Sequence, residues 1–218
     1  MPDWRGSATR AESRYLDGER RLPDNADARQ RQLTRMANAA GAAGLSLLMA
    51  GDRDAAARWL LRAAERYRES YRDAPAGSWG RPIGAIKARL LAGDWEGAAN
   101  DARWALDERA VAADSPIGKY AGCLACLVLG DWQRARVLAD DLRTHEGFPT
   151  DVADALAFVA ADDPVGYTEA VELVLRSFET RDEYLEDVPV ADTVLVLQAL
   201  ATRRAIEVDL QSALLPSG

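Results

Sequence analysis

Leu91-Ala92-Gly93-Asp94-Trp95-Glu96-Gly97-Ala98-Ala99 closes one apolar run and opens an amphipathic one. Glycine can take the left-handed conformation that ends a helix. The aspartate after it can cap the next helix and suits the positive end of its dipole. From Trp95 the apolar positions continue at Ala98, Ala99, Ala102, Ala105 and Leu106, the i, i+3, i+4, i+7 steps of a helix with one buried face. The same corner returns at Leu48-Met49-Ala50-Gly51-Asp52 and at Val128-Leu129-Gly130-Asp131-Trp132. Ala135, Leu138, Ala139 and Leu142 come after the last of these, and Val159-Ala160-Ala161-Asp162-Asp163 is a degenerate fourth copy. From Gly51 to Gly93 to Gly130 to Asp162 the spacings are 42, 37 and 32 residues. Recurrence at such a period predicts an array of helical hairpins.

Working outward, Asp114-Ser115-Pro116 and Asp163-Pro164 place a capping residue before a proline suited to the first helical turn. Pro149-Thr150-Asp151 and Asp187-Val188-Pro189 read as two further starts. The expected map is a short helix near 8–21 within an N-terminal arm of 1–25. Hairpins come next at about 26–72, 82–110, 116–146 and 150–180, then a last helix at 189–204 and a tail. The fold class is all-α: a stack of antiparallel helical hairpins, nine or ten helices, in one domain over 1–218. Trp95 and Trp132 head buried faces, which predicts a loss of about 3–5 kcal/mol on truncating either to alanine.

Composition agrees. Of 218 residues 48% are hydrophobic, enough for a core, and alanine leads that set, favouring helix over strand. The stretch 1–21 is charged throughout and lacks the apolar core of an export signal. The longest uncharged run, Met36 to Gly51, is too short to span a bilayer. The two cysteines, Cys123 and Cys126, make no disulfide framework. The expectation is a soluble cytoplasmic protein that engages neither membrane nor nucleic acid. Charge is uneven: residues 1–109 hold 19 Lys and Arg against 16 Asp and Glu, residues 110–218 only 8 against 19. A phosphate surface is disfavoured by the net −8.

The stretch from Gly93 to Leu106, with Gly-Asp-aromatic, alanine three residues on and Ala105-Leu106 near the end, resembles the second helix of a tetratricopeptide repeat. The first helices lack that family's Trp and Gly-Tyr pattern, so the likeness is to the broad tetratricopeptide-like class. The whole chain, in its size, its alanine-rich hairpins and its ending, is similar to the immunity protein 49 family of polymorphic toxin systems. That ending runs through the helix Ala191 to Arg204, then Ala205-Ile206-Glu207-Val208-Asp209 and Leu214-Leu215-Pro216. The resemblance implies a protein that binds and neutralises a secreted toxin domain. It carries over no binding residue.

Chemistry-bearing sets are scarce. His145 is the only histidine, which removes most histidine-dependent catalytic constellations and any multi-histidine metal site. Cys123-Leu124-Ala125-Cys126 lies on an apolar helix with no strand before it, so two small core residues are the better reading than a redox pair or zinc site. Gly41 and Gly44 stand among alanines, where small residues permit close packing. Arg58, Arg62 and Arg66 recur at i, i+4, a solvated face opposite the Trp59, Ala63, Tyr67, Tyr71 stripe. No catalytic, cofactor or metal residue is expected.

The acidic segment Glu179 to Asp192 stands out. Glu179, Asp182, Glu183, Glu186 and Asp187 surround Tyr184, a pattern suited to capture of a basic partner. The leading expectation is an immunity-type module docking on a basic toxin domain. The alternative is an adaptor that takes a peptide or helix in a groove carrying Lys87, Arg89, Lys119 and Tyr120.

Overall fold

The computed structural model describes residues 2–217, and among them lie ten α-helices, two single-turn 3-10 helices and no strand. The helices are α1 (Trp4–Arg20), α2 (Ala26–Met49), α3 (Arg53–Tyr71), α4 (Gly80–Leu91) and α5 (Trp95–Asp107). They continue as α6 (Pro116–Leu129), α7 (Trp132–Leu142), α8 (Thr150–Ala161), α9 (Pro164–Glu179) and α10 (Asp192–Thr202).

The repeated corner is one geometry used four times. At Gly51, Gly93 and Gly130 φ is 77°, 74° and 78°, and the amide of the next residue, an aspartate, reaches back to the carbonyl of Leu47, Arg89 or Cys126 at 2.9 Å. Asp162 takes the glycine's place with φ 60°, and the Asp163 amide closes on Phe158 at 3.0 Å. This is the Schellman closure, which satisfies the carbonyls a helix end leaves open. The aspartates also cap the next helix: Asp52 accepts from the Ala55 amide at 3.1 Å and Asp163 from the Gly166 amide at 3.0 Å. Ser115 caps α6 and Pro116 fills its first position.

Two predicted starts are displaced. Helix α1 begins at Trp4, where Asp3 caps it by accepting from the Gly6 amide, not near residue 8. The last helix begins at Asp192, not at 189. Glu186 and Asp187 sit in left-handed backbone, φ 57° and 58°, and Val188 and Val190 are buried along a non-helical segment. Alternate burial of two β-branched residues wins here over the capping pattern of Asp187-Val188-Pro189.

Contacts gather in two compact units. The first comprises the chain through Asp94, with Asp182–Val190 and the stretch from Ala213. In it α2 packs against α1 and α3, and α3 against α4. Leu33, Met36, Ala40 and Ala43 of α2 meet a core that also holds Leu60 and Ala64 of α3, Ala85 and Ile86 of α4, and Ala11 and Tyr15 of α1. Two of its buried polar residues share one donor. Gln30 and Ser70 are buried, and Arg81 donates to both, to the Ser70 hydroxyl at 3.1 Å. Burial holds that guanidinium below its usual pKa.

The second unit comprises Trp95–Arg181 and Ala191–Ser212. Here each of α5 to α9 packs on its neighbour in chain order, and α10 lies against α8 and α9. At the centre is α6, where Ala121 and every residue from Cys123 to Leu127 is fully buried. The unit boundary falls between Asp94 and Trp95, so the expected hairpin 82–110 is divided, α4 to the first unit and α5 to the second. Each obeys its own apolar face, α4 packing onto α3 and α5 onto α6.

Candidate interaction surfaces

The residues of the acidic segment are divided between the two units. Asp182, Glu183, Tyr184, Glu186 and Asp187 belong to the first unit, whereas Glu179 belongs to the second. Glu186 pairs with Arg14 of α1 at 3.1 Å, and Tyr184 is half-buried. Glu179 accepts from the Ser212 hydroxyl at 2.7 Å. The first unit as a whole is nearly neutral, with 17 basic and 16 acidic side chains. Acidity resides in the second, with 10 basic against 19 acidic, a net −9. The charge split therefore belongs mainly to the second unit's body. On the outer face of α9, Val165 is 70% exposed and Leu173 44%, flanked by exposed Glu169 and Glu172, which have no ion pair among the described residues. Arg176 shares that face.

The arginine row of α3 is solvated at Arg58 and Arg62, which are exposed, and departs from that expectation at Arg66. Arg66 donates to the Tyr15 hydroxyl at 3.0 Å, to Glu69 at 2.6 Å and to Glu19 at 3.0 Å, tying α3 to α1. Burial alone would lower its pKa, but these hydrogen bonds outweigh it and leave the guanidinium held more firmly charged than usual. Arg62 lies over the Trp59 ring at 4.6 Å, and Trp59 meets Tyr15 edge-on at 5.3 Å. At Arg66 the face is a joint within the first unit.

The groove candidates are divided between the two units. Lys87 and Arg89 are in the first unit, and Arg89 pairs with Asp94 at 2.6 Å. Lys119 and Tyr120 are in the second: Tyr120 is buried against Phe148, ring centroids 5.4 Å apart, and Lys119 pairs with Asp141. Lys119 also lies within hydrogen-bond distance of His145 Nε2, at 2.9 Å.

Cys123 and Cys126 are fully buried and free, and Cys123 donates to the Ala135 carbonyl at 3.4 Å. Desolvation pushes the Cys126 thiol up to about 11 and the Cys123 thiol higher still. Among the described residues no three His, Cys, Asp or Glu side chains converge as a metal site, and no helix is long and apolar enough to cross a membrane.

At the end of α10 lies an arrangement that residue spacing does not announce. Arg203 stacks over Trp95 at 5.1 Å and donates to the Val128 carbonyl at 2.5 Å. Arg204 stacks over Trp132 at 4.6 Å and pairs with Asp162 at 3.0 Å. Two consecutive arginines thus cover both corner tryptophans and hold the left-handed aspartate of the last corner. Their only trace in the sequence is the Arg203-Arg204 pair itself, which periodicity reads as a helix end. Both tryptophans are half-buried, so truncation costs less than a packed core ring would. Trp132→Ala is expected to lose about 1–2 kcal/mol in urea unfolding, most of it shared with Arg204→Ala in a double-mutant cycle. A loss of core size, with no coupling to Arg204, would contradict this assignment.

Beside Trp95 an open cleft of about 520 Å³ runs between α5, α6 and α10. No protein-family model, curated protein or solved structure matches the chain.

Proposed function

We propose that this chain is a non-catalytic protein-binding module of the immunity type, whose acidic second unit docks on a basic protein domain and blocks it. One observation carries the reading: a net −9 gathered on a single compact unit, with Glu169 and Glu172 free of ion pairs among the described residues beside exposed Val165 and Leu173 on one helix face. Carboxylates ringing apolar side chains suit a basic surface with an apolar centre, because the charges steer approach while the apolar contacts hold the complex. The likeness to the immunity protein 49 family points the same way. A tight-binding inhibitor needs surface complementarity and no reactive group of its own, which agrees with a chain whose thiols are buried.

Co-expression with the protein encoded by the adjoining reading frame, then calorimetry across a salt series, tests this. The expected result is binding that weakens steadily as salt rises. Glu169→Lys with Glu172→Lys should slow association by about tenfold or more, whereas Glu183→Lys in the first unit should leave the rate nearly unchanged. No association at low salt, or equal effects of the two substitutions, would overturn the assignment.

A further inference from the structure

We infer that the cleft between α5, α6 and α10 binds a carboxylate carried on an apolar peptide segment. The cleft belongs wholly to the second unit, and the inference is independent of the α9 face. At about 520 Å³ it falls in the range of ligand sites. Along α5, Trp95, Ala99 and Arg103 stand at i, i+4, i+8 and form one wall. Ala99, Val128, Leu129 and Ala199 give it an apolar floor.

The charges point to the ligand. In a unit where acidic groups outnumber basic ones by 19 to 10, both arginines of this cleft, Arg103 and Arg203, are without a carboxylate partner among the described residues. Arg103 is exposed, and its one hydrogen bond is to the Asn100 side-chain oxygen at 2.9 Å. Arg203 is held in place by the Trp95 ring and the Val128 carbonyl, which occupies one of its five donors. The donors left over match the two oxygens of a carboxylate. A guanidinium already ordered by its neighbours loses little freedom on binding. Glu96 also lines the cleft, forms no ion pair with either arginine, and leaves the local balance at one positive charge. That balance admits one carboxylate on an apolar segment. A phosphodiester chain would meet the unit's net negative charge.

Three peptides titrated into the full chain test the proposal, read by the indole N–H resonance of Trp95 and by calorimetry. Acetyl-Ala-Leu-Glu-Leu-Ala-amide carries an internal carboxylate, acetyl-Ala-Leu-Ala-Leu a free terminal one, and acetyl-Ala-Leu-Gln-Leu-Ala-amide neither. At least one of the acidic peptides is expected to shift the Trp95 signal and bind at least tenfold tighter than the neutral one; which of them does so identifies the carboxylate as side chain or chain end. Arg103→Glu should weaken that binding at least tenfold with the thermal transition in place, since only the Asn100 contact is lost. Glu96→Gln should tighten it. Arg203→Gln is a weaker test on its own, because it also releases Trp95. Equal binding of all three peptides, no shift up to millimolar concentration, or an Arg103→Glu protein that binds as before would overturn the inference.

Discussion

Raising the pH from 8 to 11 will lower the unfolding free energy by on the order of 5 kcal/mol, enough to unfold a domain of ordinary stability. Three acids in the second unit are buried in their neutral form: Cys123, Cys126 and Tyr167. Desolvation raises each above its ordinary value, 9.0 for the thiols and 10.0 for the phenol, with Cys126 brought to about 11. Above pH 9 the unfolded thiols release protons that the folded ones still hold, so the unfolded state binds fewer protons and gains stability as the pH rises. Each such group contributes a slope of about 1.4 kcal/mol per pH unit. The Cys126 contribution levels off near pH 11, where the folded thiol also titrates; those of Cys123 and Tyr167 continue beyond. Below pH 8 none of the three contributes any pH dependence. Urea unfolding at pH 8, 9.5 and 11 reads the slope, and Cys123→Ala with Cys126→Ala should flatten it to the Tyr167 part alone. A wild-type stability level across that range would mean the thiols are open to water.

Gly44→Ala will destabilise the first unit by about 1–3 kcal/mol, while Gly41→Ala, one turn away on the same helix, will stabilise it by about 0.5–1 kcal/mol. Intrinsic propensity alone predicts the same favourable sign at both positions. The difference is spatial. A Cβ on Gly44 would stand 2.6 Å from Leu60 Cγ and 3.2 Å from the Ala56 carbonyl oxygen, whereas one on Gly41 would meet nothing within 4 Å. Leu60 fills the space that Gly44 leaves between α2 and α3, and is itself 1% exposed. Most of the Gly44→Ala cost should therefore disappear in a Leu60→Ala background, a coupling that thermal denaturation of the four proteins measures. Equal signs at 41 and 44 would show that the helices separate more readily than a packed interior allows.

Only one member of that pair answers to the expectation that both glycines permit close packing. The same division runs through the chain. Whether a residue is small, apolar or capable of capping is its own property, and so the helices, their Gly-Asp corners and the Ser115-Pro116 and Asp163-Pro164 starts were legible from residue type and spacing. So was burial of Cys123 and Cys126, because an apolar helix with no polar stripe has no outer face to offer.

What surrounds a residue depends on elements distant along the chain, and those sequence spacing cannot place. Glu186 reads as part of an acidic patch until Arg14, far away in sequence, is found beside it. Arg66 reads as solvated until Tyr15 and Glu19 close on it. Trp95 and Trp132 read as core until Arg203 and Arg204 are seen to cover them at a half-exposed edge. Local periodicity by itself determined that this protein is a succession of amphipathic helices joined at left-handed corners, since backbone closure and one-sided burial are settled within a few residues of each corner. Only the tertiary structure decided which charges are spent on internal ties and which remain on the surface, because an ion pair is set by distance in space, and folding brings together side chains that sequence spacing leaves far apart.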